Sequence, residues 1–183
     1  MTLDEAHGVV LDNLKYQPGA FYGSAEGLPI GAGLFYSNVR QPAFDLTSRR
    51  FKTVRGLAYV VTHECDISQA NDRPFNDSVL ICPLIRFDRF VEESQALPNL
   101  GAFLGELATR DVFRAVYVPS IADAHYGAIL YLNRITSIHV TVLEEDGVEC
   151  IGAVSATGLR EIDAALSNLL MREKADKLWG AGG

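Results

Sequence analysis

"RGLAYVVTHECDIS", Arg55 to Ser68, sets an apolar run directly against a polar one. Leu57 to Val61 is continuous, apolar and partly β-branched, the pattern of a strand buried on both faces. Thr62, His63, Glu64, Cys65 and Asp66 follow at once. An imidazole, a thiol and two carboxylates suit a nucleophile, a metal site or a hydrogen-bonded strand end. If the strand runs on, alternation puts His63 and Cys65 on one face and Glu64 and Asp66 on the other.

Working outward, "SVLICPL" reads as a second buried strand. Ile30 to Tyr36 reads as a strand in which Gly31 and Gly33 mark a bulge or a close backbone approach. "FRAVYVP", "GAILYLNR" and "ITSIHVTVLE" read as further strands, and "EDG", Glu145 to Gly147, as a hairpin turn returning into "VECIGAV". The segment Arg40 to Arg55 is polar and basic and reads as a long loop, and "DISQANDRPFND" as another. A short helix is expected within residues 1–17, capped by Thr2. Helical turns are expected over about 87–110. The last segment, 156–179, has Leu159, Ile162, Leu166, Leu169 and Leu170 on one helical face, with Ser155 or Thr157 at its start and Trp179 packing at its end.

The whole chain, 1–183, reads as one domain with its central unit at 28–155. Its net charge is −7 and its hydrophobic fraction 48%. That balance counts against a protein that works by gripping phosphate backbones unless a local basic patch outvotes the total, and it suits a basic protein partner. Three widely spaced cysteines and an acidic start without a signal pattern predict a cytoplasmic protein with reduced thiols, and no run is long enough to span a membrane.

In their order, "RGLAYVVTHE", "SVLICPLIR", "YLNRITSIHV" and "LREIDAALSNLLM" resemble the PemK/MazF-type family of SH3-like barrels, over roughly half the chain. The resemblance implies a mainly β (α+β) fold: a small barrel with a mid-chain helical insertion and a C-terminal amphipathic helix. It also implies a bacterial toxin or antiphage-defence protein that acts on single-stranded RNA and is held by a partner or antitoxin. Arg55 stands where the family carries its catalytic arginine, followed by Gly56 rather than proline. Ile85 stands where the family has a hydroxyl residue. The expected groove is lined by Arg55, Arg86 and the His63–Asp66 segment, with His63 or Asp66 as acid or base.

Three other readings rest on the residues alone. Arg49, Arg50 and Lys52, with Phe44 and Phe51 between and beside them, suit single-stranded nucleic acid through charge and stacking, while the plainer reading, which the composition favours, is a solvated loop whose arginines balance an acidic protein. His63, Cys65 and Cys82, joined by Cys150 or Asp66, form an alternative zinc set, although no close Cys or His pair is present and no cofactor is the first expectation. A non-catalytic protein-interaction module is the alternative to an enzyme.

Overall fold

The structure, a computed structural model, describes residues 1–45, 48–67, 77–109 and 114–179, with side chains for all of these but 44, 45 and 171–179. Of the loop expected from Asp66 to Asp77, residues 68–76 lie outside what is described, as does the packing of Trp179, and Asp66 and Ile67 are helical. In chain order the elements are α1 (Leu3–Asn13), β1 (Tyr22–Gly23), β2 (Leu34–Asp45), β3 (Arg50–Val60), α2 (Glu64–Ile67), β4 (Ser78–Arg86) and α3 (Phe87–Glu93). There follow α4 (Leu100–Thr109), β5 (Ala115–Val118), β6 (Ala128–Tyr131), β7 (Thr136–His139), β8 (Glu149–Val154) and α5 (Ala156–Trp179). The strands form one antiparallel sheet in the order β1-β8-β2-β3-β4-β6-β5, with β7 also on β4. The fold is mixed α and β, with the expected helical insertion at α3 and α4 and the closing helix at α5.

The opening stretch supplies the centre of this sheet. Ala58, Tyr59 and Val60 are buried and pair with Pro83, Cys82 and Ile81 of β4. Proline has no N–H to give a ladder. At Pro83 the β3 pairing stops, and from Leu84 onward β4 pairs with β6. Beyond Val60 the chain leaves the strand. Val61 donates to the Leu80 carbonyl at 2.9 Å, and Thr62 Oγ1 accepts the Leu80 N–H at 2.7 Å. Thr62 thus ends the strand by supplying the acceptor that the next backbone carbonyl would have provided. His63 and the first three residues of α2, Glu64 to Asp66, are all exposed and none belongs to a strand, so strand alternation does not govern them.

Among the described residues no ladder joins the edge strands β1 and β5, so backbone pairing does not close the sheet into a barrel. Side chains fill the seam instead. Tyr22 of β1 donates to the Pro119 carbonyl at 2.6 Å, just past β5, and Tyr16 donates to the Tyr117 carbonyl at 3.2 Å. Helix α5 lies against β1, β8 and β5, and its Ile162 and Ala165 enter a core with Phe21, Phe35, Tyr59 and Leu130. Ser155 starts this helix as expected, its Oγ accepting from the Thr157 and Gly158 N–H groups at 3.0 and 3.2 Å. A second core sets α1, α3 and α4 on β5 and β6. A third packs β2, β3 and β4 beneath the one-turn segment Val140–Glu144.

The expected hairpin from "ITSIHVTVLE" into "VECIGAV" does not form. Val140–Glu144 is a 3₁₀ turn, and β8 pairs with β1 and β2 rather than with β7. Gly31 and Gly33 do mark the close approach expected of them. A Cβ on Gly31 would lie 2.7 Å from that of Glu64, and Gly33 has φ +96°.

The basic segment is not a loop. Val39–Asp45 and Arg50–Gly56 pair residue for residue as the distal half of the β2–β3 hairpin. Low internal periodicity hid it, because the distal ribbon is solvated on most of its surface and has little apolar alternation to show. A bulge sets it off from the sheet. Ser37 and Asn38 together oppose Leu57, and Asn38 has φ +56°, a conformation asparagine tolerates better than most side chains. Toward the sheet from the bulge both strands are buried. Beyond it, Arg50 to Thr53 are exposed, and Phe51 is 76% exposed. We call this ribbon the arm.

Partial burial gives His7 a pH consequence near neutrality. His7 of α1 packs between Phe87, Tyr117 and Tyr126. Tyr117 Oη donates to the Tyr126 carbonyl at 2.9 Å, so it accepts from His7 Nε2–H at 3.0 Å. Desolvation lowers the His7 pKa, against a smaller opposing effect of Asp4. Acid therefore protonates the unfolded chain first. This contribution to stability is present above about pH 6.5 and is lost as pH falls through the lowered folded value. Urea unfolding between about pH 7.5 and 5.5 should show a drop in midpoint that is smaller in His7→Phe. An equal drop in the two proteins would contradict this.

Candidate functional site: the foot of a basic arm

The segment 40–55 holds five of the sixteen basic residues and one of the twenty-three acidic ones, a formal +4 in a chain of −7. The fold gathers that charge on a projecting ribbon. Arg49, Arg50 and Lys52 are exposed near its tip, beside Phe51. Arg40 and Arg55 are direct cross-strand partners at its foot.

Like charges directly opposite each other repel. Here a carboxylate from far along the chain sits between them. Arg40 Nη2 donates to Glu145 Oε1, and Arg55 Nη2 donates to Glu145 Oε2 at 3.3 Å. Arg55 Nη1 also donates to the Asn38 carbonyl at 2.9 Å, and Asn38 Nδ2 donates to the Gly147 carbonyl at 3.0 Å. The bulge residue thus ties the foot of the arm to the turn that carries Glu145.

A groove of about 240 Å³ adjoins Arg40. Pro42, Ile138 and Val142 form its apolar wall, and Thr53 and His139 are polar residues in it. Gln41 also lines it and is 6% exposed. Its Nε2 donates weakly to the Leu57 carbonyl at 3.4 Å, and its Oε1 has no hydrogen-bond partner.

The other expected residues lie in separate places. Arg86 donates to Asp88 at 3.0 Å and to Asp123 at 2.6 Å, and these share no residue with the Arg55 cluster. The hydrogen bond from Arg86 holds the Asp88 carboxyl below its usual range. Arg89 pairs with Glu93 at 2.7 Å. A larger groove, about 580 Å³, lies where Arg86 and Arg89 meet the start of α1, but Asp88 and Glu92 share its lining. His63 lies 3.2 Å from Glu64, and both are about half exposed or more.

The zinc set is not assembled. His63, just before α2, and Cys65, within it, are exposed, whereas Cys82 is fully buried and its thiol donates to the Tyr131 carbonyl at 2.9 Å. Burial pushes the Cys82 pKa up to about 12, so it is neither a thiolate ligand nor a nucleophile at neutral pH. Among the described residues no three His, Cys, Asp or Glu side chains gather as metal ligands. In native thiol titration Cys65 and Cys150, both exposed, should react, and Cys82 only on unfolding. Three equally fast thiols would show that β4 is not packed as described.

Arg40, Gln41 and Glu145 were not in the expected groove. Arg40 was legible only as one more basic residue. Its contact with Glu145 spans 105 positions, and no local pattern signals it.

Fold and site define a class: an open antiparallel sheet closed by a helix, with a basic ribbon whose paired arginines share one carboxylate. Compared with known families, curated proteins and solved structures, the chain matches none of them. Among the described residues no helix is long and apolar enough to cross a membrane.

Proposed function

We propose that the protein binds single-stranded RNA through the β2–β3 arm, as a divergent PemK/MazF-like protein of a toxin–antitoxin or antiphage-defence system. In this reading the sheet is an SH3-like barrel whose seam is filled by α5. The observation that carries the proposal is the segregation of charge. A ribbon of formal +4 projects from an acidic body and holds Arg49, Arg50 and Lys52 beside an aromatic ring 76% exposed. Charge tracks a phosphate backbone, and an aromatic face stacks any base.

Binding is better supported than cleavage. Arg55 is engaged by Asn38 and Glu145, Arg86 by Asp88 and Asp123, and Ile85 offers no hydroxyl. For Arg55 to act on a scissile phosphate with His63 or Asp66, it would first have to leave Glu145.

A second reading is a protein-interaction module. Among the described residues, β2 beyond Ser37 pairs only with β3, and β3 before Ala58 only with β2. Such edges accept an added strand, here from an acidic partner or antitoxin segment.

Fluorescence anisotropy of a labelled single-stranded RNA at rising salt separates the two. RNA binding through the arm should weaken linearly in log–log form between about 50 and 200 mM salt. No binding at the low-salt end, or binding insensitive to salt, would reject the RNA reading.

A further inference from the structure

We propose that the foot of the arm is a single-nucleotide subsite gated by Glu145: an RNA phosphate replaces the Glu145 carboxylate between Arg40 and Arg55, and the adjoining base enters the groove beside Arg40. This rests on the RNA reading above and adds to it a defined contact and a competitor.

Three features point the same way. The first is the fork itself. Two guanidinium groups already present one N–H donor each to the two oxygens of a single anion, the arrangement that a phosphate's oxygens also satisfy. The Arg55 bond to the Asn38 carbonyl keeps that guanidinium in place when the anion changes.

The second is charge. One carboxylate offsets one of the two arginines. The fork is also solvent-accessible, with the Arg40 and Arg55 side chains 50% and 45% exposed and Glu145 24%. Glu145 follows the 3₁₀ turn Val140–Glu144, outside any strand, so its side chain can swing away without breaking the sheet.

The third is the groove. Arg40 belongs both to the fork and to its lining, so an anion at the fork has an apolar slot next to it. Pro42, Ile138 and Val142 suit the flat face of a base. Thr53 and His139 are polar lining residues available to its edge, whereas the unpartnered oxygen of Gln41 is buried from solvent. The larger groove beside α1 lacks this combination, because its two arginines are met by three carboxylates, Asp88, Asp123 and Glu93, which leave no excess positive charge.

Glu145 is therefore an internal competitor of the ligand. Removing it should strengthen binding, whereas a purely structural buckle would weaken binding when removed. The test is a titration of the full chain with uridine 5′-monophosphate, and with inorganic phosphate alone, followed by NMR at the Ile138 and Val142 amides. Glu145→Gln should tighten the nucleotide about two- to fivefold, the worth of an exposed ion pair. Glu144→Gln makes the same change of charge one residue away and should do less. Arg40→Gln should weaken the nucleotide by about tenfold.

Unchanged or weaker binding in Glu145→Gln would overturn the gate. Phosphate binding as well as the nucleotide would overturn the base slot. If the labelled RNA binds through Arg49, Arg50 and Lys52 while the nucleotide leaves Ile138 and Val142 unmoved, the subsite is wrong and the arm reading stands. If the nucleotide binds and the RNA does not, the arm reading is wrong and the foot is a free-nucleotide site.

Discussion

Gly158→Ala is expected to destabilise the protein by about 3 kcal/mol, against the usual sign of a glycine-to-alanine change in a helix. In an exposed helix interior the exchange stabilises by roughly 0.5–1 kcal/mol. Gly158 lies in the first turn of α5, and a Cβ there would stand 2.4 Å from the Phe21 carbonyl oxygen and 3.1 Å from Val154 Cβ. The obstacle is backbone, and it is held. The same Phe21 carbonyl accepts from the Ser155 N–H at 2.9 Å, and the Phe21 side chain is fully buried in the first core. Relief would require α5 to lift from β1 and β8, withdrawing Ile162 and Ala165 from that core. Gly8 of α1 is the control, because nothing lies within 4 Å of its added Cβ. Gly8→Ala should raise the urea midpoint and Gly158→Ala should lower it. A rise in both would mean that α5 does not seal the sheet as described.

The other large effect concerns the arm. Exchange of Arg49, Arg50 and Lys52 together for glutamine is expected to weaken single-stranded RNA binding by about fiftyfold at about 0.15 M salt. It should also flatten the log–log salt slope by about 2, from three lost phosphate contacts on a single strand. Exposed positions on a solvated ribbon should leave unfolding free energy within about 0.5 kcal/mol. Glutamine also avoids adding a shape change at Arg49, whose φ is +53°. Phe51→Ala tests the aromatic share separately. It should weaken binding by about 1–3 kcal/mol and leave the salt slope unchanged, because stacking releases no counterions. Equal RNA affinity in the triple variant and the parent would remove the arm from the function.

The chain order of elements is largely legible in the residues themselves. A buried strand such as Ala58 to Val60 announces itself, because an element enclosed on both faces must be apolar throughout, and Val79 to Leu84 is legible in the same way although its Leu80 is 43% exposed. The closing helix is legible through the spacing of Ile162, Leu166 and Leu169, although Leu159 and Leu170 of the expected face are exposed; its start is legible through the hydroxyl of Ser155, and the close approach at Gly31 through a missing side chain. Periodicity stops working where burial stops. Toward its tip the arm is solvated, and at its foot the buried positions alternate as Val39 and a polar Gln41, so its strands show little apolar alternation and read as loop. Val140 to Glu144 has strand-like residues, yet it makes a 3₁₀ turn because Val140 and Leu143 are both drawn down onto the third core.

By itself, then, the sequence determined which segments are buried, where the last helix begins, and that the basic residues are concentrated between 40 and 55. Tertiary structure alone decided that those residues form a projecting ribbon, and that Cys82 faces the core while Cys65 faces solvent. It alone placed Glu145 between two arginines, one of them 105 positions away. The reason is physical: local pattern records how much of each segment meets water, whereas an ion pair across the sheet depends on register, bulge and turn acting together.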